Sequence, residues 1–341
     1  MAMLLRAAML AALLLVISAA TAAGTATATA TGTGTGGTSV SPPPPPTPTG
    51  EGGNCPFFSD APGGAASSMG AAVCAKPSAL RKWQGLKFGL FLHWGAYSQI
   101  GFDASWSLNW ATLCAFGNPT LCAPKNCSSC THEDMTKFRA MYWGLSKTFN
   151  PTKFNPDVWA KSAKAAGMRY FVMTTKHHDG FAMYNTSSHG APGQPVYGVT
   201  GPDCPAQRDL YGDVAAAMRS EGMLVGAYYS KADWHSHSFW DPAMGFATDR
   251  NTNYDIATNA SKWADFVAFD KAQFEEIQTQ YSPDLYWLDA GWVGAGEQYL
   301  PLADWAVEHR KINPDQLWVN RDGGAKEKKT GFCVHLLMLN Q

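Results

Sequence analysis

Two adjacent histidines and a carboxylate follow a hydrophobic run in the stretch YFVMTTKHHDGFAMYNT. The run Tyr170–Thr175 is typical of a buried strand, and His177, His178 and Asp179 come almost directly after it. Other short apolar runs also end in side chains that can hydrogen-bond, carry charge or transfer protons. These side chains are His93, Tyr229, Asp289 and Arg321. We therefore expect the polar groups at the strand ends to meet at one pocket.

Asp289 closes the apolar run LYWLD. A carboxylate among bulky apolar side chains is costly unless it is paired, hydrogen-bonded or used in chemistry. Two interpretations stay open: Asp289 caps the turn-like sequence DAGW, or it is a catalytic or binding carboxylate. The neighbouring Trp287 and Trp292 favour the second interpretation, because aromatic rings can pack against sugar rings.

The histidines also permit a metal hydrolase as a hypothesis, with His177, His178 and Asp179 as ligands. Adjacent residues of a strand point to opposite faces, so one ion reaches both imidazoles only if the backbone twists. The sequence contains no HExxH motif, no phosphate-binding glycine loop and no dinucleotide fingerprint. Any one of the histidines could be a hydrogen-bonded core residue, but three at strand ends favour hydrogen bonds to substrate hydroxyl groups. We expect neither a metal nor a cofactor.

Short apolar strands alternate with helical segments, which predicts a parallel β/α architecture. Strands are predicted at GLKFGLFLHWG (Gly85–Gly95), Tyr170–Thr175, MLVGAYYS, DLYWLDAGW and QLWVNR. Helices are predicted within NPDVWAKSAKAAGMRY, DLYGDVAAAMRSEGM, SKWADFVAFDKAQFEEIQTQYSP and PLADWAVEHRKINPD. A long loop is predicted from Ala96 to about Asn150. Polar residues end every strand and not only those beside a switch point. This favours an α/β fold of the (β/α)8 TIM-barrel type over an open doubly wound sheet.

The N-terminal composition predicts three regions. Residues 1–23 resemble a secretory signal peptide, because one positive charge precedes the apolar stretch AAMLAALLLVISAA and an ATA cleavage site. Residues 24–53 form a Thr-, Gly- and Pro-rich linker that is expected to be disordered. Residues 54–341 are expected to be the folded catalytic domain. The net charge of -1 gives no reason to expect nucleic acid or a membrane surface as a partner.

Eight cysteines and three N-glycosylation sequons fit a protein of the secretory pathway. The sequons begin at Asn126, Asn185 and Asn259. We expect disulfides in preference to free thiols, with no pairing deducible from the sequence. Disulfide bonds are also favoured over a zinc site for the four cysteines that are closely spaced in one loop, which are Cys114, Cys122, Cys127 and Cys130.

Five segments together resemble a known family. KFGLFLHWGAYS, YFVMTTKHHDGFAMYNT, LVGAYYS, LYWLDAGW and WVNR occur in this order and are similar to the catalytic domain of glycoside hydrolase family 29, the α-L-fucosidases. The match runs from about Leu86 to Arg321, and HWG together with KHHDGF is its most specific part. The resemblance implies a β/α barrel, retaining hydrolysis of α-L-fucosides on glycans without a cofactor, and a secreted, lysosomal or vacuolar location.

The resemblance also implies roles for single residues. Asp289 matches the catalytic nucleophile, and Tyr229 matches a site tyrosine, for which the adjacent Tyr228 is the alternative. The residues that match groups contacting the sugar are His93, His177, His178, Arg321 and, more loosely, Trp106 of DASWSLNW.

The proton donor is not accounted for. In the family the acid/base glutamate lies beyond the arginine of the fifth strand, and here the only glutamate after Arg321 is Glu327, in a basic run. We therefore expect the acid/base to be absent and the barrel to be truncated at its C-terminus, with about five of eight β/α units, too few to close a barrel. A non-catalytic fucose-binding remnant is the alternative function. A further alternative is that the chain does not fold stably, because an edge of its sheet is left unpaired.

Overall fold

The computed structural model describes residues 75–109, 131–294 and 296–320, which all belong to one compact unit, residues 49–341. Several predictions concern residues outside this part of the chain. They are the signal peptide, the linker, the first sequon, Arg321, Glu327 and seven of the eight cysteines. The remaining cysteine, Cys204, is buried with a free thiol, so the expected preference for disulfides does not hold there.

Five parallel strands form the centre of the described structure. They are β1 (Leu90–Leu92), β2 (Tyr170–Lys176), β3 (Leu224–Ser230), β4 (Leu285–Asp289) and β5 (Leu317–Asn320). Their order in the sheet is the order of the chain, and every neighbouring pair is parallel. A doubly wound sheet would reverse direction at a switch point, whereas consecutive order is the arrangement of a β/α barrel. The architecture predicted from the sequence is confirmed.

Six α-helices lie among the described residues. They are α1 (Pro77–Leu86), α2 (His132–Trp143), α3 (Pro156–Ala165), α4 (Leu210–Ser220), α5 (Ala260–Tyr281) and α6 (Leu302–Ile312). Side chains of Asn155 and Asp209 accept backbone hydrogen bonds at the starts of α3 and α4. Gly167 and Gly222, with φ of 83° and 75°, follow the ends of the same two helices, as the sequence predicts. No helix in the described ranges is both long and apolar enough to cross a membrane.

Two sequence predictions were wrong in detail. Gly85 and Leu86 belong to α1, so the first strand is only three residues long. The predicted loop from Ala96 to Asn150 contains α2, whose start is fixed by a capping box between Thr131 and Asp134. Each of these two residues bonds the backbone N–H of the other, which satisfies two donors at the helix end.

Alternate residues of each strand face different cores. One face of the sheet forms a small cluster that includes Phe91, Val172, Tyr228, Leu285 and Leu317. The other face packs against the helices, and contributes Val225, Ala227, Tyr229, Tyr286 and Leu288 among others to the larger core. Because side chains alternate along a strand, this pattern also decides which residues of the strand ends face the pocket.

We predict an acid-sensitive contribution to stability from His309 on α6. It is 5% exposed and packs against Tyr286 and Trp318, and burial lowers its pKa to about 4. The folded-state pKa lies below the unfolded value, so this stability is complete above about pH 6.5 and is lost as the pH falls towards 4. Urea unfolding gives the free energy of unfolding at pH 7.5 and at pH 5. Between these two pH values, the free energy of unfolding of His309→Gln should fall by about 2 kcal/mol less than that of the parent chain.

The control is His132→Gln, at an exposed position of α2. It should lose as much stability on acidification as the parent chain. An unchanged acid loss in His309→Gln would contradict the assignment.

Candidate active site

Asp289 is the last residue of β4 and is 6% exposed. The hydroxyl of Tyr228, on the neighbouring strand β3, donates a hydrogen bond of 2.6 Å to Asp289 Oδ2. Tyr228 Oη also lies 3.1 Å from Ser230 Oγ, and Ser230 is the register partner of Asp289. A bond between side chains of adjacent strands therefore fixes the position of the carboxylate.

His177 and His178 lie in the turn after β2, and their ring centroids are 4.7 Å apart. Ser105 Oγ lies 2.5 Å from His177 Nδ1, and the carbonyl oxygen of Ala232 lies 3.0 Å from His178 Nδ1. His178 Nε2 is buried and has no hydrogen-bond partner among the described residues. One ring nitrogen of each histidine is thus held by the protein, and Nε2 of His178 is left to bind a ligand.

The backbone change that the sequence argument required for a shared position of these histidines is present. The pairing of β2 with β3 shifts register between Thr174 and Lys176, and the strand ends at Lys176. His177 and His178 therefore no longer alternate across a sheet. One coordinating atom each from His177, His178 and Asp289 lies within 4.8 Å of the others.

Asp179 does not join this group. Its Oδ2 accepts a hydrogen bond of 2.9 Å from Tyr142, and its Oδ1 accepts one of 3.3 Å from the backbone of Phe181. The metal-ligating set within the described residues combines the histidines with Asp289 and not with Asp179. The proposed metal hydrolase site of His177, His178 and Asp179 is therefore not formed.

His93 and Trp106 border the same group. The ring centroid of His93 lies 4.8 Å from that of Tyr228 and 5.4 Å from that of His177. The ring centroid of Trp106 lies 4.9 Å from that of His178. Both predicted residues therefore lie beside the histidines that follow β2.

Two further tryptophans extend the aromatic wall. The ring of Trp234 stacks on His178 at 4.7 Å, and the ring of Trp292 lies 5.2 Å from His178. Trp234 was not recognised in the sequence, although it follows β3 closely, as the predicted site residues follow the other strands. The three tryptophans together surround one imidazole with apolar surface.

Tyr229 faces away from the site. Its hydroxyl lies 2.7 Å from Asp270 Oδ1 and 2.8 Å from Gln273 Oε1 of α5, on the helix side of the sheet. Tyr228 is the tyrosine that reaches Asp289. The geometry thus corrects the choice between the two neighbours, because alternation along β3 places only one of them on the pocket side.

Burial sets the charge of the side chains around Asp289. It lowers the pKa of His178 to about 4 and lowers the pKa of His177 well below its usual value. It also raises the pKa of Tyr228 well above its usual value, and the nearby Asp289 raises it further. Near neutral pH the imidazoles are therefore neutral, and the phenol keeps the proton that it donates to Asp289.

A buried ion pair lies behind the histidine turn. Lys176 Nζ lies 3.0 Å from Asp233 Oδ2, 3.7 Å from Asp270 Oδ1 and 4.4 Å from the centroid of the Tyr229 ring. Asp233 Oδ1 accepts hydrogen bonds from the backbone N–H groups of His235 and Ser236. Asp233 and Asp270 are thus held by Lys176 and by hydrogen bonds behind the histidine turn.

Comparison with known proteins assigns the chain to a family. A family model described as alpha-L-fucosidase matches residues 71–334. The chain belongs to the α-L-fucosidase family. Its sequence is 29% identical over 208 residues to tissue alpha-L-fucosidase of Bos taurus, and 25% identical over 255 residues to alpha-L-fucosidase of Dictyostelium discoideum. Alpha-L-fucosidase isoenzyme 1 from Paenibacillus thiaminolyticus is a structural relative with a TM-score of 0.51 and 31% identity.

These alignments cover only part of the relatives. They include 60% of this chain and 38% of the bovine protein, and 72% of this chain and 50% of the Dictyostelium protein. The structural match covers 73% of this chain and 51% of the Paenibacillus protein. The chain therefore spans about half of the length, or less, of these α-L-fucosidases.

We predict that the two tyrosines of β3 differ in function. With the activity that is proposed below, Tyr228→Phe should lower kcat/KM for 4-nitrophenyl α-L-fucoside by about tenfold, because Asp289 loses a buried hydrogen bond. Tyr229→Phe should leave kcat/KM within about twofold and lower the free energy of unfolding by about 1 kcal/mol, because Asp270 loses its donor. Steady-state kinetics and urea unfolding of both variants measure the difference. Equal loss of activity in the two variants would contradict the assignment of Tyr228 alone to the site, and a larger loss in Tyr229→Phe would place the site on the other face of β3.

Proposed function

We propose that this chain carries the fucose-binding and nucleophile-bearing part of a retaining α-L-fucosidase. The reaction is hydrolysis of terminal α-L-fucosyl groups from glycoconjugates by double displacement. The observation that carries the proposal is the position of Asp289. Its carboxylate is buried at the carboxyl end of β4, accepts a hydrogen bond from Tyr228 and lies close to His177 and His178 in a chain of the α-L-fucosidase family.

The first step is attack on the sugar by Asp289. A carboxylate oxygen bonds to the anomeric carbon while the bond from that carbon to the leaving oxygen breaks, and a second carboxyl group protonates the leaving oxygen. Water then attacks the anomeric carbon of the glycosyl ester while the bond from that carbon to the Asp289 oxygen breaks, and the second carboxyl group, now a base, removes the proton of the water. Fucose is released, and Asp289 is a carboxylate again. Net retention of configuration follows from the two displacements. The hydrogen bond from Tyr228 orients the nucleophile for the first step.

The fucosyl group would bind through neutral hydrogen-bonding groups. His178 Nε2 is the best-supported contact, because it is buried without a partner among the described residues and can bond to a sugar hydroxyl. His93 and His177 adjoin it, and Trp106 offers an apolar face for the sugar ring or its methyl group. We keep Arg321 as a proposed sugar contact that lies beyond the described residues.

No proton donor is assigned. Among the described carboxylates behind the site, Asp179 accepts a hydrogen bond from Tyr142, and Asp233 and Asp270 pair with Lys176. Retaining glycosidases place the two catalytic carboxyl groups roughly 5 to 5.5 Å apart. The proposed mechanism therefore requires a second carboxyl group, and none of these described residues is named for that role.

We also propose that the protein follows the secretory pathway, to the cell exterior or to a lysosome or vacuole. The composition of residues 1–23 supports a signal peptide, and that of residues 24–53 supports a flexible linker ahead of the catalytic domain. The sequons at Asn185 and Asn259 agree with this route, since Asn185 is exposed and Asn259 is partly exposed.

The function is tested by a matched pair of aspartate variants, one at the end of β4 and one just before its start. Asp289→Asn should abolish release of nitrophenolate from 4-nitrophenyl α-L-fucoside, with a loss of at least about a thousandfold in kcat. It should still bind L-fucose in calorimetry, because the histidines remain. Asp284→Asn is the control, since Asp284 lies just before β4 and its carboxylate binds the backbone of Val225. Its kcat should match that of the parent chain.

The outcomes separate the two candidate functions. Turnover that Asp289→Asn removes and Asp284→Asn preserves supports the enzyme. Binding of L-fucose without any turnover by the parent chain indicates the non-catalytic remnant. Neither binding nor turnover by a cooperatively folded chain would refute both.

A further inference from the structure

We propose that His177, His178 and Asp289 form an inhibitory site for one transition-metal cation of the Zn²⁺ type. One coordinating atom from each residue lies within 4.8 Å of the others, and the side chains are 2%, 0% and 6% exposed. Donor atoms around a tetrahedral zinc ion lie roughly 3.3 Å apart, as its bond lengths of about 2.0 to 2.2 Å require. Small side-chain rotations therefore bring the three groups to coordination distance.

The groups around the three ligands already resemble the outer shell of a metal site. Metal-binding histidines usually use the second ring nitrogen in a hydrogen bond that fixes the orientation of the ring. The Ala232 carbonyl holds His178 Nδ1, and Ser105 Oγ holds His177 Nδ1. Tyr228 orients Asp289 in the same way. Each ligand is therefore oriented before an ion arrives.

His178 supplies an independent indication that the cluster receives a ligand. Its Nε2 is fully buried and lacks a hydrogen-bond partner among the residues described, which is uncommon for a buried polar atom. The nearby Trp106, Trp234 and Trp292 rings provide no strong acceptor. A cation bound at Nε2 satisfies this atom.

The donor set selects the class of ion. Two imidazoles and one carboxylate suit Zn²⁺, Co²⁺, Ni²⁺ and Cu²⁺, whereas Mg²⁺ and Ca²⁺ prefer oxygen ligands. The ion would occupy His178 Nε2 and the carboxylate of Asp289, the two groups that the proposed fucose site uses. Binding of the cation and binding of fucose should therefore exclude each other, an expectation that rests on the proposed function.

Metal binding is tested directly and without an activity assay. The chain is treated with EDTA, dialysed and titrated with ZnCl₂ in a calorimeter, with MgCl₂ as the control ion. We expect one Zn²⁺ per chain and no measurable Mg²⁺ binding. His178→Gln and Asp289→Asn should each weaken the Zn²⁺ affinity by roughly tenfold or more. The matched controls His132→Gln and Asp284→Asn should bind as the parent chain does, and thermal melts confirm that each variant is folded.

Spectroscopy separates this site from the cysteines. Co²⁺ in the proposed site should give visible absorption bands without a sulfur-to-metal charge-transfer band. A strong charge-transfer band would place the ion on thiolates and overturn the proposal. Zn²⁺ affinity that is unchanged in both His178→Gln and Asp289→Asn, or absent from the folded parent chain, would also overturn it.

Competition separates this inference from the proposed function. L-fucose should raise the apparent dissociation constant of Zn²⁺ linearly with the fucose concentration, from the value measured without fucose. One-to-one Zn²⁺ binding that depends on His178, in a chain that does not bind L-fucose, supports the metal site and contradicts the sugar site. L-fucose binding without Zn²⁺ binding gives the reverse result.

Discussion

The buried ammonium group of Lys176 is the constraint on which the site depends. Its side chain is fully buried on the helix side of the sheet, between Asp233 and Asp270. Removing one partner of such a pair typically costs about 3 to 5 kcal/mol, because a charge is left buried without compensation. The pair therefore holds the last residue of β2 on the outer face. The register shift beside it and the turn that follows bring both His177 and His178 to the pocket.

The alternation of side chains along a strand explains why the two adjacent tyrosines of β3 have different partners. Tyr228 lies on the inner face and donates to Asp289, while Tyr229 lies on the outer face beside Asp270. Inner and outer polar groups thus form two separate sets, one around the pocket and one around Lys176. Burial keeps the inner imidazoles neutral and the inner phenol protonated, so these groups can bind uncharged hydroxyls. The outer set supplies rigidity.

Most of the fold was predictable from the sequence, because apolar runs and glycine stops have simple physical causes. β2 to β5 and the ends of α3 and α4 follow the predicted pattern. The helix α2 was missed, although Thr131 and Asp134 have the spacing of a capping box. To choose between Tyr228 and Tyr229, one must know which face of the sheet each residue of β3 occupies. To place His177 and His178, one must know that the pairing of β2 with β3 shifts register. Both depend on neighbouring strands and not on the local sequence. Trp234 reaches the site only through the turn after β3.

The most direct test of the account is covalent trapping with 2-fluoro-fucosyl fluoride. Fluoride leaves without being protonated, so the experiment does not require the proton donor that is not assigned. The fluorine at C2 slows hydrolysis of the ester, because it disfavours the oxocarbenium-like transition state. The account predicts one fluorofucosyl group per chain by intact-mass spectrometry and an ester on Asp289 by peptide mapping. A label on another residue, or no label on a folded chain, would contradict it.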